Sequence, residues 1–134
     1  MAKRWKSCLL ASRLLGSHTY KEETTMSENI LVVLTNPVPG KEDEFNEWYT
    51  NIHIQEICQI SGFKSARRFK LGDDQLGPGG EHRYLAIYEI EGDPAAALEA
   101  LKAARPDLNM TDAIDSVSSS IRTFGAITGK VTAN

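Results

Sequence analysis

The run Ile30-Leu31-Val32-Val33-Leu34-Thr35 is continuously apolar and rich in β-branched residues, the pattern of a strand covered on both faces. Asn36-Pro37-Val38-Pro39-Gly40 ends it, because two prolines remove ladder donors and fix a turn. From Lys41 to about Ile60 the period becomes helical. Phe45, Trp48, Tyr49, Ile52 and Ile60 recur at helical spacing, and Glu42, Asp43 and Glu44 sit where acids favour the positive end of the helix dipole. Ser61-Gly62 stops this helix. Phe63 to Leu71 alternates as a strand, with Phe63, Ser65, Arg67, Phe69 and Leu71 on one side and Lys64, Ala66, Arg68 and Lys70 on the other. A glycine-rich loop, Gly72 to Gly80, leads to a third strand over Arg83 to Ile90. Asp93 predicts an N-cap, with Pro94 opening a second, alanine-rich helix that runs through Ala104. After Arg105-Pro106 a connector (Asp107 to Asp115) reaches a last strand, roughly Val117 to Ile127.

The predicted order is β-α-β-β-α-β, an α+β, ferredoxin-like arrangement in which two helices cover one face of a four-stranded antiparallel sheet. The strands carry apolar residues on both sides, so the bare face calls for a partner. Two such sheets placed face to face make a barrel across a homodimer.

At 134 residues, 41% hydrophobic and 25% charged, the chain has material for one core. A domain this small buries only about two-thirds of the surface its unfolded chain exposes, so self-association would add useful burial. The net charge of −3 and the lack of a basic stripe argue against a nucleic-acid partner. No apolar run approaches the roughly 18–20 residues of a membrane span. Charge is uneven: residues 1–25 hold Lys3, Arg4, Lys6, Arg13 and Lys21 against Glu22 and Glu23, while residues 26–134 hold ten basic against sixteen acidic side chains. Two readings of the first segment stand, a transit-peptide-like extension or an upstream start with Met26 as the natural first residue. Both leave residues 1–25 outside the fold and 26–134 as the domain. Cys8 and Cys58 are not paired by any spacing and read as reduced thiols of a cytoplasmic protein. His18, His53 and His82 are scattered, so no metal site is expected. Gly77-Pro78-Gly79-Gly80 lacks the lysine of a phosphate loop, and no dinucleotide fingerprint occurs, so no cofactor is expected either.

The first helix carries the candidate chemistry. At about 100° per residue, Phe45, Tyr49, Ile52 and Ile60 share a face with His53 and Glu56, and Trp48 lies at its margin. His53 and Glu56 are three residues apart, close enough to interact. A titratable pair on an apolar face must be paired or must line a cavity. Two readings are open: a structural pair that fixes helix on sheet, or a pocket in which His53 is a general acid or base. In the second, Glu56 orients the imidazole and raises its basicity, and Tyr49 donates a hydrogen bond at the wall. Arg67 and Arg68 point to opposite faces of the second strand, so one points inward. That one either holds a carboxylate or enolate oxygen of a ligand or pairs with an acid such as Glu56. Tyr84 and Tyr88 share a face of the third strand, inward or at a dimer seam.

Asn36-Pro37-Val38-Pro39-Gly40-Lys41-Glu42-Asp43-Glu44-Phe45-Asn46-Glu47-Trp48-Tyr49, then His53 and Glu56, then Gly62-Phe63-Lys64-Ser65-Ala66-Arg67-Arg68-Phe69, resembles the EthD-like branch of the dimeric α/β-barrel proteins. The resemblance covers residues 30–127 in topology and is specific over about 36–69. Many members have proline between the His and the Glu, where this chain has Ile54-Gln55. The resemblance implies a homodimer with a central barrel and one cleft per subunit for a hydrophobic small molecule. Relatives include cofactor-independent monooxygenases, polyketide cyclases, decarboxylases and isomerases, and accessory proteins of xenobiotic degradation. It marks His53 as the candidate acid/base, with Trp48, Tyr49 and Glu56 as helix neighbours.

Overall fold

The structure is a computed structural model that describes residues 28–134; the predicted extension over residues 1–25 lies outside the described residues. Among the described residues, 28–127 belong to one compact unit, and residues 128–134 have no regular structure. Four strands, β1 (Asn29–Thr35), β2 (Phe63–Lys70), β3 (Tyr84–Ile90) and β4 (Ser120–Gly125), form one antiparallel sheet in the order β2-β3-β1-β4. Between β1 and β2 lie α1 (Glu42–Trp48), a π-helical turn (Tyr49–His53) and α2 (Ile54–Ile57); α3 (Pro94–Ala104) and a 3₁₀ turn (Arg105–Asp107) precede β4. This is the ferredoxin-like arrangement. No helix among the described residues is long and apolar enough to cross a membrane.

β1 and β3 alternate between two environments. Leu31, Val33 and Thr35 of β1 and Tyr84, Ala86, Tyr88 and Ile90 of β3 are buried with Phe45, Trp48, Tyr49, Ile57 and Ala97 in a single core. Their neighbours Ile30, Val32, Leu34, Leu85 and Ile87 face the other way and are only half-buried. Within one chain β1 is covered on the helix side, and the other side is the bare face for which the pattern calls for a partner. Along β2 the expected alternation breaks at its start. Phe63 pairs with Ile90 and Ser65 with Glu89, so Lys64 is an extra residue in a bulge. That puts Phe63 in the core, on the same side as Ala66, Arg68 and Lys70 and not with Arg67 and Phe69.

The second helix follows its sequence signals. The Asp93 carboxylate accepts from the Ala95 N–H at 3.1 Å, with Pro94 in the first turn. It also packs tightly on the turn before β2. Gly62 has φ +100°, and a Cβ there would stand 2.8 Å from the Ala97 Cβ. Only glycine satisfies both the backbone and the space. The connector after the 3₁₀ turn is pinned to the turn after β1, where Val38 donates to the Ala113 carbonyl at 2.7 Å and Asp115 to that of Asn36 at 2.9 Å.

The first helix is not uniform. The Ile54 N–H reaches back five residues to the Tyr49 carbonyl, which inserts one residue into the helical register. Every position beyond the turn is thereby rotated by about 100° from a regular helix. Ile57 falls where Glu56 was expected and is buried, while Ile52 is 41% exposed and leaves the apolar face.

Candidate functional site

The same extra residue sets the geometry around His53. Five positions apart in a π-turn, Trp48 and His53 lie one above the other. Their rings stack with centroids 4.4 Å apart and planes 22° from parallel. Tyr49 meets the imidazole edge-on at 5.0 Å. Trp48 is held in place because its indole N–H donates to the Asn109 carbonyl at 2.6 Å. The imidazole is thus clamped between two nearly buried aromatic side chains.

Its nitrogens differ. Nδ1 is buried without a hydrogen-bond partner. Nε2 also lacks a partner among the described residues, but it is not shut away from the surface. Protonating this ring would bury an unpaired N–H and a charge, which is costly. Burial accordingly brings the His53 pKa down to about 4; the Glu56 carboxylate opposes that shift and the Arg68 guanidinium reinforces it. At neutral pH the ring is uncharged. A buried nitrogen with no acceptor is better left as a bare lone pair than as an N–H, so we assign the proton to Nε2, on the open edge.

Glu56 occupies a different place from the one its spacing suggested. Rotated by the π-turn to the margin of the face, its carboxylate accepts from the Asn109 backbone N–H at 3.0 Å and from the Asn109 side-chain amide at 2.7 Å. It acts on His53 through its charge, in the expected direction, but desolvation outweighs it and the imidazole is less basic than usual.

β2 presents Arg68 to the helices and Arg67 to the opposite face, where its guanidinium lies 5.4 Å from the Phe69 ring centroid. Arg67 is separated by the sheet from every other candidate. The Arg68 guanidinium stands 4.5 Å from the ring centroid of Tyr49, 5.3 Å from that of Tyr84 and 5.4 Å from that of Phe45. It donates to Thr50 Oγ1 at 2.8 Å and to Asn46 Oδ1 at 2.9 Å. The predicted alternative of an ion pair with Glu56 or another acid is not formed among the described residues. Tyr84 and Tyr88 both face the helices. Tyr84 donates to the Glu42 carboxylate and accepts from Asn46 Nδ2 at 2.9 Å, while Tyr88 donates to the Tyr49 hydroxyl at 3.3 Å. Burial raises the pKa of Tyr49 and Tyr88, so both are neutral phenols.

The fold therefore gathers Trp48, Tyr49, His53, Arg68, Tyr84 and Tyr88, sets Glu56 at the rim and leaves Arg67 out. Sequence reasoning missed Asn46 and Thr50, which stand four apart on the helix beside the inward arginine and whose spacing was a usable signal. It also missed Asn109, which sits in a connector with no periodic pattern to mark it. Among the described residues no group of three or more His, Cys, Asp or Glu side chains is placed to hold a metal ion.

No protein-family profile matches the chain, and neither does any curated protein. Among solved structures its fold is similar to that of the heme-degrader MhuD of Mycobacterium tuberculosis with two hemes bound in its active site. The TM-score is 0.54 at 16% identity, over 78% of this chain and 99% of that one. It also aligns, at a TM-score of 0.46 and 16% identity, over 77% of its length and 98% of a Shewanella loihica protein with a provisional monooxygenase assignment. At such identity the likeness to MhuD speaks to fold alone.

Proposed function

We propose that this protein binds and processes a small, mainly apolar organic molecule bearing a carbonyl or phenolic oxygen, and that His53 is the residue that engages this oxygen. The observation that carries the reading is the clamped, uncharged imidazole, stacked on Trp48 with one nitrogen buried and the other open. With a pKa of about 4 the ring is a weak base at neutral pH. The role we assign is therefore that of a neutral donor, Nε2–H, polarising the ligand oxygen. When the C–H bond α to a carbonyl breaks, the proton passes to water and the electron pair moves onto the oxygen. Nε2–H and the Arg68 guanidinium stabilise that charge where it develops. Tyr49 and Trp48 hold the imidazole, and Glu56 tunes its charge.

The test is α-proton exchange of 2-tetralone in D₂O, followed by NMR with the wild-type chain and with His53→Gln. Loss of one oxyanion donor is expected to slow the catalysed exchange about a hundredfold. Exchange that is equally fast in the variant removes His53 from the chemistry. A second reading, a binder without catalysis, has the lowered imidazole pKa in its favour. It predicts that 2-tetralone shifts the His53 ring signals while leaving exchange at the solvent rate.

We assign the bare sheet face to a homodimer of the EthD-like kind. Val32, Leu34, Leu85 and Ile87 lie there side by side with Phe124, which is 55% exposed. Ile87→Lys is expected to yield a monomer in sedimentation equilibrium; a monomeric wild type, or an unchanged dimer, refutes the assignment. Cys58 is a free thiol, in keeping with a cytoplasmic protein.

A further inference from the structure

Four cations of the described residues find acids: Lys41 meets Asp112, Lys102 meets Glu99, and Arg83 and Lys70 share Glu42. Arg68 does not. It lies partly buried on three aromatic rings, with neutral oxygens of Asn46 and Thr50 as its hydrogen-bond partners. A guanidinium has five N–H donors in a rigid fork; Thr50 Oγ1, Asn46 Oδ1 and, at 3.5 Å, the Asn46 carbonyl engage three of them, all neutral acceptors. The nearby acids are committed elsewhere. Glu42 takes the Tyr84 hydroxyl together with Arg83 and Lys70, and Glu56 takes both N–H groups offered by Asn109. His53 brings no charge at neutral pH.

The unpaired cation and the open imidazole edge share one support. The Arg68 guanidinium lies 4.5 Å and the His53 ring 5.0 Å from the centroid of the Tyr49 ring. A cation held at an aromatic wall without a counter-ion leaves its charge to be met by whatever occupies the site. The Phe45, Tyr49 and Tyr84 rings beneath the guanidinium make its surroundings aromatic and apolar, which suits a flat apolar body beside the charge.

We infer that the ligand of this site is an organic oxyanion, a flat and mainly apolar carboxylate or enolate whose charged oxygen meets the Arg68 guanidinium while a second oxygen meets the open edge of His53. This rests on the reading of His53 given above and narrows it from oxygen-bearing molecules to anionic ones. Arg68 is then the specificity-determining residue, because a neutral isostere leaves the guanidinium desolvated and unpaired.

The experiment compares 1-naphthoate with 1-naphthamide, which share rings and size and differ in charge. Each is titrated into the full chain at neutral pH while the ring signals of His53, identified by their loss in His53→Gln, are followed by NMR. Naphthoate is expected to bind about tenfold or more tightly than the amide, a preference that shrinks as salt rises. In Arg68→Met the two affinities converge, because the advantage of naphthoate is lost. The wild-type preference and its salt dependence decide the matter even if that variant folds poorly. Equal affinities in the wild type, or a preference that survives in Arg68→Met, overturn the inference while leaving the His53 reading in place. If neither compound moves the His53 signals at millimolar concentration, both fall together.

Discussion

Replacing His53 with Gln should change how stability depends on pH more than it changes stability at neutral pH. The imidazole titrates near 6.5 in an unfolded chain and at about 4 in the fold, because the native environment resists its charge. As pH falls from 7, the unfolded state takes up the proton first. The native state is stabilised fully above about pH 6.5, and this contribution is lost as pH drops through about 4. The whole loss is about 3 kcal/mol, of which about 2 kcal/mol falls between pH 7 and pH 5. A glutamine carries no such linkage. Urea unfolding at pH 7, 6 and 5, at one protein concentration and ionic strength, should therefore show the wild type losing about 2 kcal/mol more than His53→Gln across that range. The remaining histidines and carboxylates are common to both proteins and cancel in the difference. If the two stability curves run parallel, or if NMR finds His53 titrating near 6.5, the imidazole is not desolvated and the neutral-donor role collapses.

Glu56→Gln removes the one influence that raises the His53 pKa, so the imidazole should titrate below about 4, as read by NMR of its ring protons. Deleting Asn51, an exposed residue of the π-turn, should restore a regular helix and rotate the imidazole by about 100° away from its support. The ring-current shift that Trp48 imposes on His53 then disappears while the far-ultraviolet circular dichroism stays native. Gly62→Ala forces a non-glycine residue to φ +100° and drives its Cβ against Ala97. A loss of about 2 kcal/mol or more in urea unfolding is expected, and an unchanged midpoint would refute the close packing.

The pattern of the chain determined the architecture of this protein. Continuous apolar runs, turns built from proline and glycine, and a single switch to helical period in each crossover are local properties, and each is consistent with one topology. The Asp93 cap and Pro94 were legible to the residue for the same reason, since a cap acts within a few positions. Which residues face one another was another matter. A helical wheel assumes a constant rotation per residue, and the one inserted residue at Tyr49–His53 moves Ile57 into the core, turns Ile52 outward and carries Glu56 to Asn109. No residue type announces that insertion. The bulge at Lys64 likewise resets the alternation of β2, so that Phe63 joins Arg68 on the buried side. Arg67 and Arg68 were indistinguishable until sheet register chose between them. The depressed basicity of His53 also belongs to tertiary structure, because desolvation depends on everything packed around the ring, and the charge three residues away is the smaller influence. Local signals sum along the chain; side-chain environments depend on register, and one extra residue is enough to change it.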